Sequence, residues 1–233
     1  MSLLGYVSPR ASCRGRISHG AVILGSTEIG EGSYIDFNTV VGYPSRDKVL
    51  EGRPSSINQL DELSSGAKIG GGCVIRSGCV IYEGVELMDG VELGHGVLVR
   101  KGSRVGRSVR IGSGSQLDGE VEIDEGSNIQ SMVYLPHLTK IGKKVFIGPL
   151  VCVTNDRYPP SRKLTGVTIE DEAVIGAGAL LLAGVKIGAR AVVAAGSIVV
   201  RDVEPGQLVM GSPARPVSVR EIFEEKKRSY EMG

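Results

Sequence analysis

Residues 69–99 read IGGGCVIRSGCVIYEGVELMDGVELGHGVLV, with an aliphatic residue at every sixth position: Ile69, Ile75, Ile81, Leu87, Leu93 and Val99. The same count runs unbroken to Val153, giving fifteen hexads in succession. Five more lie at Ile17–Val41 and six at Ile169–Val199, for twenty-six in all. Four positions after each aliphatic the residue is usually Ala, Ser, Thr, Cys or Val, and Gly crowds the turns. A period of six fits neither a 3.6-residue helix nor a long two-residue strand alternation. It fits an all-β fold, a parallel β-helix shaped as a triangular prism, with three hexads per coil. One large aliphatic per face points inward, a small residue shares the interior, and Gly permits the corner. Twenty-six hexads predict nearly nine coils, a prism roughly 40 Å long at the spacing of paired strands.

Composition narrows the function. The chain has 233 residues and a formal net charge of +1, which argues against general nucleic-acid binding. No run approaches the roughly 18–20 apolar residues of a membrane span. The opening MSLLGYVSPRASCRGR lacks the basic start and long apolar core of a signal peptide, so a cytoplasmic protein with no membrane partner is expected. Cys13, Cys73, Cys79 and Cys152 form no CxxC pair and read as small, inert hydrophobes.

Coils of 18 residues convert spacing into geometry. Lys101, Gly119, His137 and Asn155 recur in steps of 18 and should stack on one edge, about 5 Å apart along the axis. The count is interrupted twice, by loops 43–68 and 154–168. Fifteen hexads, five whole coils, separate the interruptions, so both loops should leave this first edge and wall a pocket over His137 and Asn155. The first loop is polar enough to be disordered; Pro159 and Pro160 stiffen the second. A second edge stacks His95, Ser113, Ser131, Pro149, Ala177 and Ala195. Around the last two, IGAGALLLAGVKIGARAVVAAGS leaves backbone N–H groups accessible to a thin ligand. The prism domain spans 1–216. Residues 217–233 predict a short C-terminal α-helix with a capping-box spacing at Ser218 and Glu221. Val219, Ile222, Phe223 and Lys226 mark one face of it, suited to plug the open end.

The stretch IGAGALLLAGVKIGARAVVAAGSIVVRDVEPGQLVMGSPARPV resembles the end of the hexapeptide-repeat, left-handed β-helix acyltransferases. FIGPLVCVTNDRYPPS and KIGKKVFIG resemble a narrower group, the N-acetyltransferases of nucleotide-linked amino-sugars. The resemblance covers about residues 17–216. It implies a left-handed coil, a homotrimer with active sites at subunit interfaces, and acetyl-CoA as co-substrate. It places the pantetheine arm along Ala177, Gly178, Ala195 and Gly196, and the CoA phosphates near Arg201 and Arg215. Asn155 matches an Asn beside the acceptor amine. Gln130 and Ser131 depart from a pair of Asn common in that group, and His137 stands where some relatives have Lys.

These residues suggest a chemistry. A deprotonated amine is already nucleophilic, so alignment with the thioester supplies much of the effect. Asn155 would orient the amine, a backbone N–H would hold the oxyanion, and His137 or the leaving thiolate would take the proton. Asp156, Tyr158, His95 and Arg100 are candidate substrate contacts. A hydroxyl acceptor would require a base, His137 or His95. Longer acyl donors and a non-catalytic scaffold remain open. A zinc carbonic anhydrase would need three gathered His; the two-His spacing of five is missing at His95, and no metal is expected.

Overall fold

The computed structural model describes residues 5–232 and is a parallel β-helix. Residues 1–4 and 233, the outer ends of the two predicted segments, lie outside the described residues. Thirty strands, most of two residues, form three sheets of ten, nine and eleven strands. Partners are in register at 18 residues, as in Glu86 with Arg104 and Leu87 with Val105. The prism is longer than nearly nine coils. Strands Tyr6–Val7 and Ser12–Cys13 precede the first predicted hexad, and Gln207–Gly211 adds a rung at the far end. The six-count misses them because the step shortens to four residues at both ends, from Cys13 to Ile17 and from Val199 to the buried Val203.

The aliphatic of each hexad forms one continuous core: Ile75, Ile81, Leu93, Leu117, Leu135 and Ile147 are each at most 1% exposed. The small residue four positions on is often a hydroxyl, and it is satisfied. Ser127 Oγ donates to the Gly142 carbonyl at 2.7 Å and accepts the Val145 amide at 3.0 Å. Ser115 repeats the arrangement with Gln130 and Val133. Buried hydroxyls therefore tie coil to coil instead of penalising the core.

The three outer faces differ. The second sheet presents Lys68, Glu86, Arg104, Glu122 and Lys140 in vertical succession. Its signs alternate, with ion pairs of 3.6 Å (Arg104–Glu86) and 3.3 Å (Lys140–Glu122). The first sheet presents Val22, Val40, Val80, Leu98, Tyr134, Cys152, Leu180 and Ile198, all half-buried, broken by the exposed Gln116 between Leu98 and Tyr134. One face is thus a charge ladder and another an apolar stripe.

Both interruptions leave the first edge, as the count requires: each follows a strand of the first sheet, Val40–Tyr43 and Cys152–Val153, and rejoins at the second. The first is an ordered helical hairpin, α1 (Arg46–Gly52) and α2 (Ile57–Leu63), not a disordered excursion. At the far end Gln207–Gly211 folds back antiparallel on Ala214–Val219 before α3 (Arg220–Met232). Ser218 therefore pairs with Leu208 inside a strand, and the predicted capping box does not form. Nor does α3 plug the core: it buries no residue, and Ile222 is 42% exposed. Its first turn is its anchor, with the Arg220 amide donating to the Gly206 carbonyl and Glu221 3.6 Å from Arg190. Among the described residues, no helix is long and apolar enough to cross a membrane.

Candidate functional site

The first edge stacks Glu83, Lys101, Gly119, His137 and Asn155 at the same place in successive coils. The stack is chemical as well as geometric. Asn155 Nδ2 donates to the His137 carbonyl at 3.2 Å, and His137 Nδ1 lies 3.2 Å from the Gly119 carbonyl. A carbonyl can only accept, so Nδ1 carries a proton and the lone pair of the neutral ring is at Nε2. Nε2 faces Glu120 Oε2 at 3.5 Å, a contact that becomes an ion pair when the ring is protonated. Glu120 (φ +46°) and Leu138 (φ +71°) hold left-handed conformations where the coils below use Gly84 and Gly102. The same left-handed corner conformation recurs at other non-Gly residues, such as Ser108, Lys144 and Glu172.

His137 lines a cleft of about 510 Å³ with Arg100, Lys101, Asp118 and Glu120 on the prism side. Further lining comes from the helical hairpin, through Arg46, Val49 and Leu50, and from Tyr43 and Tyr82 at the ends of first-sheet strands. The Tyr43 and Tyr82 rings meet at 5.2 Å and 59°. Asp118 is held by Arg100 at 2.8 Å and by the Tyr134 hydroxyl at 3.1 Å. Burial and then the Asp118 carboxylate raise the Tyr134 phenol above its ordinary value.

The structure thus brings His137 and Arg100 to one cleft and leaves other predicted residues outside its lining. Asn155 sits one coil above His137. Asp156 closes its own loop, accepting the Tyr158 and Ser161 amides at 3.1 and 2.7 Å, and the Ser161 contact is foremost in lowering its carboxyl. Tyr158 is 80% exposed. Of the two loops, only the helical hairpin contributes residues to the cleft lining. Loop 154–168 is pinned by Arg157, which donates to the Ala183 and Val200 carbonyls at 3.3 Å each.

The second edge also stacks as predicted. His95 Nδ1 lies 2.8 Å from the Ser77 hydroxyl, and the His95 amide donates to Ser113 Oγ (3.0 Å). Higher up, a Cβ on Gly148 would lie 2.6 Å from the Ala177 amide nitrogen, so only Gly admits the next coil there. The Ala177 and Ala195 N–H groups donate to nothing among the described residues. Beside them Gly178 and Gly196 (φ +66° and +68°) have open space where a side chain would project. This is a bare backbone rail with unspent donors. Arg201 is not on this rail: it stands two residues past Val199, on the first edge, while Arg215 lies exposed on the terminal hairpin. Among the described residues, no three of His, Cys, Asp and Glu gather as metal ligands.

Sequence reasoning missed the hairpin wall and its fastening. Glu83 is wholly buried at the edge and accepts from Ser45, Lys48 and Ser65. The signal was available, since stepping back 18 from Lys101 reaches Glu83 beneath the first loop's exit. Asp61, near the end of α2, is the other buried carboxylate among the described residues.

Comparison with known proteins follows the repeat. The family model described as bacterial transferase hexapeptide (six repeats) matches residues 66–101 and 166–201. A search of curated proteins returns no match. Among solved structures, a hexapeptide-repeat acetyltransferase from Vibrio cholerae is 33% identical over 43% of this chain and 62% of its own, with a TM-score of 0.39. A UDP-N-acetylglucosamine acyltransferase from Campylobacter jejuni is 17% identical over 95% of this chain and 78% of its own, with a TM-score of 0.62. A Caulobacter crescentus protein crystallised with CoA and GDP-perosamine is 26% identical over 60% of this chain and 57% of its own, with a TM-score of 0.29. The chain thus spans less than two thirds of the first and third of these. The Campylobacter likeness bears on the fold alone.

Proposed function

We propose that this chain, in which residues 66–101 and 166–201 match the bacterial transferase hexapeptide model, is an acyltransferase. Its acyl donor is a CoA thioester, acetyl-CoA foremost, and its acceptor is the amine of a nucleotide-linked amino-sugar. The observation that supports this reading best is His137: an imidazole on the wall of a cleft, with Nδ1 fixed by a carbonyl and Nε2 turned to a carboxylate. Nε2 accepts the proton that the acceptor loses as it attacks the thioester carbonyl. Glu120, 3.5 Å away, stabilises the imidazolium that forms. The C–S bond then breaks and the thiolate leaves, to be protonated from His137 or solvent. Asn155 holds the His137 backbone and presents its amide oxygen for orienting the acceptor.

The bare rail suits the donor. A pantetheine arm carries amides that accept from Ala177 and Ala195, and Gly178 and Gly196 admit it closely. Arg201 and Arg215 are exposed cations for the phosphates. Rail and cleft lie on different edges of one prism, and the apolar first sheet is the face between them. A neighbouring copy seated on that face stands beside both edges. This supports a homotrimer in which the cleft of one subunit meets the rail of the next.

A second reading, transfer to a sugar hydroxyl, is favoured by the same His137 geometry, because a hydroxyl needs a base more than an amine does. Thiol release from acetyl-CoA, with nucleotide amino-sugars and their hydroxyl counterparts as acceptors, separates the two. His137→Ala should lower kcat by about a hundredfold or more, the usual weight of a general base. Full turnover in both His137→Ala and Asn155→Ala would sink this site.

A further inference from the structure

Among the described residues Glu83 is the most deeply buried charge, its side chain 0% exposed, and no step above uses it. Its partners have one thing in common: they are the two ends of the helical hairpin. Oε1 accepts the Ser45 amide at 3.0 Å, where the chain leaves the prism. Oε2 accepts the Ser65 amide at 2.9 Å and hydroxyl at 2.8 Å, where the chain returns. Oε2 also accepts Lys48 Nζ at 2.7 Å from within α1, and the same ammonium donates to the Leu63 carbonyl at the end of α2. One carboxylate therefore fastens both roots and both helices. A fifth group, Lys101 Nζ, lies 3.9 Å from Oε1 and is itself part of the cleft wall.

What hangs from this fastening is the hairpin's share of the cleft lining. Arg46, Val49 and Leu50 line the cleft from α1, and α1 buries no residue of its own. Seven residues are too few for a helix to persist without tertiary support. We infer that Glu83 is a positioning residue: it holds the α1 wall against the first edge and so sets how tightly the acceptor binds, without touching the acceptor. Burial alone would raise this carboxyl, but Lys48 and then the Ser65 and Ser45 donors outweigh it and hold it at about 2. The clamp is therefore closed throughout the neutral range.

The inference rests on the cleft being the acceptor site, and the test keeps the two apart. Glu83→Gln preserves shape and removes the charge that gathers Lys48 and Lys101. With the nucleotide amino-sugar that wild-type protein turns over, the acceptor KM should rise about tenfold or more while kcat and the donor KM stay within about twofold, the split expected for lost binding. Amide exchange should accelerate across residues 45–65 and stay unchanged across 110–200. Lys48→Met tests the same clamp from its other side and should move both readouts the same way. The double variant should be less impaired than the two single effects combined, since each single leaves one charge without its partner. An unchanged acceptor KM in both single variants overturns the positioning role. So does a fall in kcat with KM unchanged. If His137→Ala also retains full turnover, the cleft reading itself has failed; if His137→Ala is inactive, only the role of Glu83 has.

Discussion

Asp61→Ala should unfasten one end of the prism and leave the rest intact. Asp61 Oδ1 accepts the Gly25 amide at 2.6 Å. Oδ2 accepts the Ser8 hydroxyl at 3.0 Å and lies 3.3 Å from Arg10 Nη2. The Asp61 side chain is 6% exposed, whereas Arg10 is 42% exposed and can return to water. Truncation therefore strands two buried donors. At about 1–3 kcal/mol for each buried group left without a partner, the loss is about 2–6 kcal/mol. In a solenoid each coil touches only its neighbours, so the loss should stay local. Hydrogen exchange read by mass spectrometry offers the assay. At about 1.4 kcal/mol per tenfold, a loss of about 3 kcal/mol lowers protection roughly a hundredfold. That drop should cover residues 6–30 and 57–66 and leave 111–199 at wild-type protection. Asp61→Asn keeps an acceptor for Gly25 and should lose less. An equal loss along the whole chain would refute the one-dimensional account. A loss of less than about threefold at Gly25 would refute the weight given to the buried donors.

Three further outcomes are expected. Glu83 is held at about 2 in the folded chain, against roughly 4.3 for a free glutamate. Its contribution is therefore complete above the unfolded value and is lost as pH falls toward 2. Acid unfolding followed by circular dichroism should lose part of its pH dependence in that window in Glu83→Gln. Leu117→Ala opens the fully buried core and should cost about 2–5 kcal/mol in urea unfolding. A cost under about 1 kcal/mol would mean that the coils collapse around the gap. Leu98→Glu with Leu180→Glu places charge on the apolar first-sheet face, and light scattering should then give a smaller particle than wild type. An unchanged mass would remove that face from any subunit contact.

Much of the fold was legible because the period is enforced by packing. Each sixth residue has no alternative but the core, so Ile69 through Val153 could be placed before any coordinates. The stack of His137 on Gly119, and of Asn155 on His137, follows from the same arithmetic. What escaped was everything that leaves the period. Seven-residue helices such as Arg46–Gly52 are too short to show a helical repeat, and their polar sequence resembles a disordered loop. Glu83 and Asp61 look like surface acids, because their burial depends on a hairpin that the hexads do not encode. Ser218 and Glu221 have helix-cap spacing, but pairing of Ser218 with Leu208 in the terminal hairpin claims the position first. Local signals hold where the coil is regular and yield where tertiary contacts compete.

The excursion at 154–168 has a narrow neck. The Thr165 amide donates to the Asn155 carbonyl at 2.8 Å, and Gly166 packs against the Leu138 backbone, so the chain returns almost to where it left. Above and below, the strands Cys152–Val153 and Thr168–Ile169 keep their places as though nothing intervened. The prism thus works as a rack with a socket in its edge. Lengthening the insert costs only the slow logarithmic rise of loop closure, and no rung beneath has to move. The insert can therefore change in length and sequence without changing how the prism folds. One backbone hydrogen bond closes the neck of the insert, and Arg157 ties its body to the Ala183 and Val200 carbonyls.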